Sequence, residues 1–118
     1  MSGFDINILK EKTEKRITDQ VIDYIREHYT EDINRNTLSE RFHFSPEYIG
    51  KMFRKDTGTS LNDYINSLRV KKAKHLLENT NTKVIDIALE VGFDTLPYFS
   101  SVFKKYTGVS PAEFRKRE

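Results

Sequence analysis

The stretch LSERFHFSPEYIGKMF, residues Leu38 to Phe53, holds two short amphipathic segments around a tight polar break, and it recurs once in altered form. Shifted by about fifty positions, Ile87 to Lys105 superposes on much of it: Tyr48 on Tyr98, Phe53 on Phe103, Lys55 on Lys105, and Thr57-Gly58 on Thr107-Gly108. The match continues with Ser60 on Ser110 and Tyr64 on Phe114. Upstream of the break the offset falls by one, so that Phe44 meets Phe93 and Leu38 meets Ile87. Two copies are too few for a solenoid, which needs about three units to bury a continuous core. They fit two similar helical modules within one small body.

Outward from that stretch, helix signals follow one another. Thr37-Leu38-Ser39-Glu40 has the form of a capping box and opens a short helix to about Phe42. His43-Phe44 makes the turn. Ser45-Pro46 then starts a second helix with a side-chain cap followed by proline at the first helical position, and Thr57-Gly58 ends it. Upstream, Ile17, Val21, Tyr24, Ile25 and Tyr29 fall at helical spacing and predict an amphipathic first helix. Residues 1–16 read as a linker or N-terminal extension.

Downstream, Ser60-Leu61-Asn62-Asp63 caps a long helix over about residues 61–78, with Leu61, Tyr64, Ile65, Leu68, Ala73, Leu76 and Leu77 available for burial. At 1.5 Å per residue it spans about 25 Å. Val84 to Val91 gives a short helix, Gly92 to Asp94 a turn, Leu96 to Tyr106 another helix, and Ser110-Pro111-Ala112-Glu113 caps a last short one. No segment shows sustained strand alternation. The expected fold is all-α with about seven helices: two helix-turn-helix subdomains, at about 37–57 and 84–107, joined by a long connecting helix within a domain covering 17–118.

Bulk composition narrows the function. The 118 residues are 32% charged and 36% hydrophobic, and no apolar run approaches the roughly 18 residues of a membrane span. With no signal-peptide pattern either, a cytoplasmic location is the default expectation. The absence of cysteine excludes disulfides, thiolate nucleophiles and sulfur-ligated zinc. His28, His43 and His75 are scattered without metal-ligand spacing, and no carboxylate pair sits in a pocket-like context. No enzyme, metal or cofactor is therefore expected. The net charge of +2 is unevenly spread. Residues 1–45 carry seven Lys and Arg against nine Asp and Glu, whereas residues 46–118 carry thirteen against nine. The basic excess begins at the repeated element and hints at an anionic partner.

Helical phase sharpens the hint. In the second helix of the first copy, Tyr48, Ile49, Met52 and Phe53 form the apolar side and leave Glu47, Gly50, Lys51 and Arg54 as a stripe. In the matching helix, Tyr98, Phe99, Val102 and Phe103 are apolar and leave Pro97, Ser100, Ser101 and Lys104. A helix-turn-helix lays its second helix in a DNA major groove. The small residues Gly50, Ser100 and Ser101 permit close approach to base edges, while Lys51, Arg54, Lys55, Lys104 and Lys105 neutralise phosphates.

Ile17 to Arg117 resembles the C-terminal DNA-binding domain of the AraC/XylS family of bacterial transcription regulators. The second copy carries most of the likeness, in Ile87-Ala88, Gly92-Phe93, Tyr98-Phe99, Phe103-Lys104-Lys105, Gly108, Ser110-Pro111 and Phe114-Arg115. The first adds Leu38-Ser39, Ser45-Pro46, Tyr48-Ile49, Phe53-Arg54-Lys55 and Thr57-Gly58. Leu68-Arg69 and Ala73-Lys74 match the connecting helix. The resemblance implies two reading helices on one monomer and an asymmetric double-stranded DNA site. By position it assigns base-facing roles to Pro46, Glu47, Gly50, Lys51, Leu96, Pro97, Ser100 and Ser101. Position 101, often arginine in the family, is serine here, so a bidentate guanine contact is missing from that point and Leu96 against a thymine methyl becomes the expected contact. The resemblance also implies RNA polymerase as a partner and a separate sensing, dimerising or receiver domain, which makes a C-terminal fragment of a longer regulator the expectation, with a small stand-alone member as the alternative. The competing reading is a helical protein-protein interaction module that does not bind DNA.

Overall fold

The computed structural model describes residues 6–117, with side chains from residue 16 onward. The described residues form seven α-helices and no strand: α1 (Ile6–His28), α2 (Arg35–Phe42), α3 (Pro46–Thr57), α4 (Leu61–Asn79), α5 (Val84–Val91), α6 (Leu96–Thr107) and α7 (Pro111–Lys116). This is the all-helical, double helix-turn-helix arrangement that the repeat implied.

Two boundaries differ from the sequence reading. Helix α1 begins at Ile6 rather than near Ile17, so residues 6–16 are helical; residues 1–5 lie outside the described residues. Leu, Lys, Glu and Arg dominate that stretch and no proline or glycine interrupts it, so a helix nucleated at its amphipathic end propagates backwards at little cost. Helix α2 begins at Arg35, because Asn34 and not Thr37 is its cap. The Asn34 amide oxygen accepts from the backbone N–H of Asn36 at 2.8 Å and of Thr37 at 3.1 Å, while Thr37 Oγ1 accepts from the Asn34 N–H at 2.8 Å. A capping box is present, one turn earlier than the Ser/Thr-x-x-Glu pattern indicated. Asn34→Ala should lower the unfolding free energy by about 1 kcal/mol, read as a lower urea midpoint at unchanged slope.

The chain forms two compact units: Ile33–Leu61 together with α1 as far as Glu27, and Asn62 onward together with His28–Asp32. In the first, Val21, Ile25, Leu38, Ile49 and Phe53 are fully buried. Tyr24 meets Phe42 edge-on at 5.8 Å with Arg41 over its ring, and the buried Thr18 hydroxyl donates to the Asp56 carboxylate. The turn between α2 and α3 puts His43 in the left-handed region, at φ 64 and ψ 35. Histidine is among the side chains that tolerate this conformation. The Ser39 hydroxyl closes the turn by donating to the Phe44 carbonyl.

In the second unit, Val70, Ala73, Leu77, Ile87, Ala88, Val91, Phe93, Phe99, Val102 and Phe103 make one core, with Leu76, Val84, Leu96 and Phe114 packed against it. Arg115 holds the end of α4 by donating to the carbonyls of Leu77 and Thr80 at 3.3 and 3.2 Å, a cation placed where the helix dipole favours it. The segment Arg69 to Lys74, basic at four of its six positions in the sequence, is not one surface. Arg69 is 8% exposed, Val70 and Ala73 are core, and Lys71 and Lys74 face solvent. Arg69 donates to the carbonyls of Tyr29 at 2.6 Å and Glu31 at 2.9 Å, and its guanidinium lies 5.6 Å from the centre of the Phe93 ring. Burial pulls its pKa down from the ordinary arginine value, and the charges of Asp94, Tyr98 and Asp32 oppose that shift.

Candidate nucleic-acid interface

Each helix-turn-helix presents its second helix in the same way. Ser45 caps α3 by accepting from the Tyr48 N–H at 3.1 Å, and Thr95 caps α6 by accepting from the Tyr98 N–H at 3.2 Å. Proline follows within the first two positions of both, fixing φ where no N–H is needed. The far ends match as well. Thr57 Oγ1 donates to the Phe53 carbonyl at 2.7 Å and Thr107 Oγ1 to the Phe103 carbonyl at 2.8 Å, each before a left-handed glycine. The fifty-residue repeat is therefore a repeat of hydrogen bonds, not only of apolar spacing.

Buried Ile49, Met52 and Phe53 root α3 in the first unit, and Glu47, Lys51, Arg54 and Lys55 are exposed along its other side. Pro46 is half-buried. Acid in the first turn and base in the last suits the helix dipole, so this charge order also stabilises α3 itself. Gly50 does not lie open, as a small residue on the stripe suggested. A Cβ built there would stand 3.1 Å from both Cδ and Nη1 of Arg35, whose side chain crosses the helix at that point. Arg35 was missed because the cap of α2 was placed at Thr37, which left position 35 in a loop.

On α6, Phe99, Val102 and Phe103 are buried, and Pro97, Ser101, Lys104 and Lys105 are exposed. Ser100 is half-buried. Leu96 is packed against the core of its unit, so only part of its side chain remains for outside contact. Tyr98, read from the sequence as part of the apolar side, is 46% exposed. Its ring meets Phe93 at 5.6 Å while its hydroxyl accepts from the amide of the buried Asn66 at 3.2 Å, so both its aromatic body and its polar tip have partners. Lys105 Nζ lies 3.7 Å from Asp63 Oδ1, with both groups largely in solvent. Tyr106 donates to the Asp63 backbone carbonyl at 3.1 Å. Partial burial, then the Asp63 carboxylate, push its phenol above the usual tyrosine range.

Two capped helices, each standing on its own core after a tight turn with a polar and basic outer side, define a double helix-turn-helix DNA-binding domain. A family described as a helix-turn-helix domain matches residues 38–117. The chain belongs to the AraC/XylS family of transcription regulators and corresponds to its DNA-binding domain. Over 98 residues it is 40% identical to the bifunctional transcriptional activator/DNA repair enzyme AdaA of Bacillus subtilis, a match covering 83% of this chain and 46% of AdaA. The chain thus spans less than half the length of that relative. Among solved structures, the C-terminal domain of AraT, a response regulator from Geobacillus stearothermophilus, superposes with a TM-score of 0.82 at 34% identity, covering 86% of this chain and 85% of that one. The DNA-binding domain of AdpA, solved in complex with a target DNA, superposes with a TM-score of 0.78 at 28% identity, covering 85% and 90%. No described helix is long and apolar enough to cross a membrane.

Proposed function

We propose that this chain binds double-stranded DNA with sequence preference as the output domain of a bacterial transcription regulator in the cytoplasm, α3 and α6 entering successive major grooves. The observation that supports this most is the duplicated, identically capped helix whose exposed side ends in two basic residues, Arg54-Lys55 and Lys104-Lys105. In this reading Pro46, Glu47, Gly50, Lys51, Leu96, Pro97, Ser100 and Ser101 face bases, and Arg54, Lys55, Lys104 and Lys105 neutralise phosphates. Pro97 and Ser101 offer α6 little hydrogen-bonding reach, so its half of the site depends on DNA shape and on apolar contact from the exposed part of Leu96. A nearby Asp63 competes with phosphate for Lys105. RNA polymerase and a sensing, dimerising or receiver domain are the partners that such an output domain serves.

The test is the salt dependence of duplex binding, followed by fluorescence anisotropy. Four phosphate contacts require log K to fall against log salt with a slope of about −3.6, from about −0.9 for each neutralised phosphate. A nearly flat dependence, or no duplex binding at moderate salt, would reject the reading.

A further inference from the structure

The side chain lying across Gly50 belongs to Arg35, in the first turn of α2, and three observations make it more than a packing detail. Gly50 sits on the outer stripe of α3 between Glu47 and Lys51, and a Cβ on it would press on Arg35, 3.1 Å from both Cδ and Nη1, so that the arginine would have to give by a few tenths of an ångström. The guanidinium therefore lies against the point where a side chain at residue 50 would begin. Arg35 makes no hydrogen bond or ion pair among the described residues, so its donors are uncommitted. A cation at the N-terminal end of α2 also opposes the helix dipole, which favours acids there, and no acidic residue occupies that first turn. Its charge at that end therefore does nothing to stabilise the helix that carries it.

We propose that Arg35 is a specificity-determining residue: carried by α2 and laid over Gly50, its guanidinium supplies the long hydrogen-bonding side chain that α3 lacks at position 50 and reads a guanine in the groove. Arginine bonds bidentately to guanine O6 and N7, the commonest specific contact in protein–DNA complexes, and its charge is permanent. The inference rests on the reading of α3 as a recognition helix. It also explains why glycine is found on a reading face, where it offers no contact of its own.

The experiment is selection of bound sites from random duplex DNA by the whole chain and by Arg35→Ala, Arg35→Lys and Gly50→Ala, with melting temperatures and salt slopes recorded for each. The expected wild-type site contains a G·C pair within the half whose base preference Lys51→Ala alters. Arg35→Ala should lower discrimination at that pair by about tenfold or more while melting no lower than wild type. Arg35→Lys should lose the same preference yet keep the salt slope, because it keeps the charge without the fork. Gly50→Ala should weaken the preference only slightly, since Arg35 need give by only a few tenths of an ångström. Uniform weakening over all sequences with a shallower salt slope would make Arg35 a phosphate contact and overturn the proposal. Unchanged selection by the Arg35 variants, with or without a lower melting temperature, would also overturn it. If the wild-type chain selects no site at all, the reading of α3 itself fails, and that outcome is separate from a wild-type site that the Arg35 variants reproduce.

Discussion

Gly92→Val will lower the melting temperature by about 10 °C or more, which corresponds to roughly 3 kcal/mol in a domain near this size. Two costs combine at this residue. Its φ of +111° is strained for any residue with a Cβ, at about 1–3 kcal/mol and more for a branched one. A Cβ would also stand 2.8 Å from Arg69 Nε and 3.0 Å from the Tyr29 carbonyl oxygen, the two ends of a part-buried hydrogen bond. Forcing them apart leaves a charged donor without its acceptor, at a further cost of about 1–3 kcal/mol. Gly58 and Gly108 have positive φ but nothing within 4 Å, so Gly58→Ala and Gly108→Ala should each cost only about 1 kcal/mol. Thermal denaturation of the three variants separates the cases. A Gly92→Val protein melting within a few degrees of wild type would show that the α5–α6 turn does not rest on Arg69.

The largest effect on binding is expected from removing Lys51 and Arg54 together, which should weaken the preferred duplex by about a hundredfold or more. Both are exposed on α3, so circular dichroism and the melting temperature should stay near wild type. Their shares differ in kind. Arg54→Ala removes one phosphate contact, weakening all sequences alike and reducing the salt slope by about 0.9. Lys51→Ala removes a base-facing donor and should change preference at one position by about 1–3 kcal/mol. Wild-type affinity in the folded double variant would show that the outer side of α3 does not meet DNA.

Much of this was legible in the sequence because the decisive features are local. The caps at Ser45 and Ser110 followed from a hydroxyl placed ahead of a helical run with proline as the next residue, whereas the matching cap at Thr95 was not read. The turn at Gly92 followed from a residue free to adopt positive φ. The apolar faces of α3 and α6 followed from period alone. What escaped depends on contacts distant in the chain. Arg69 reads as the first residue of a basic run, yet the carbonyls it bonds lie about forty residues away at Tyr29 and Glu31. Tyr98 fits the apolar phase of α6, but Asn66 on α4 gives its hydroxyl a partner and leaves almost half the residue in water. Arg35 carried no signal at all, since its place over Gly50 depends on α2 starting one turn before the pattern that marked it.

The central claim is that the two reading helices contact one duplex at successive major grooves. Selection of bound sites from random double-stranded DNA, with the spacing between the recovered elements measured, tests it most directly. The account predicts an asymmetric site of two elements centred about 10 base pairs apart, one altered by Lys51→Ala and the other by Leu96→Ala. A single uninterrupted element altered only by Lys51→Ala, or two elements whose separation varies freely among the recovered sites, would contradict it.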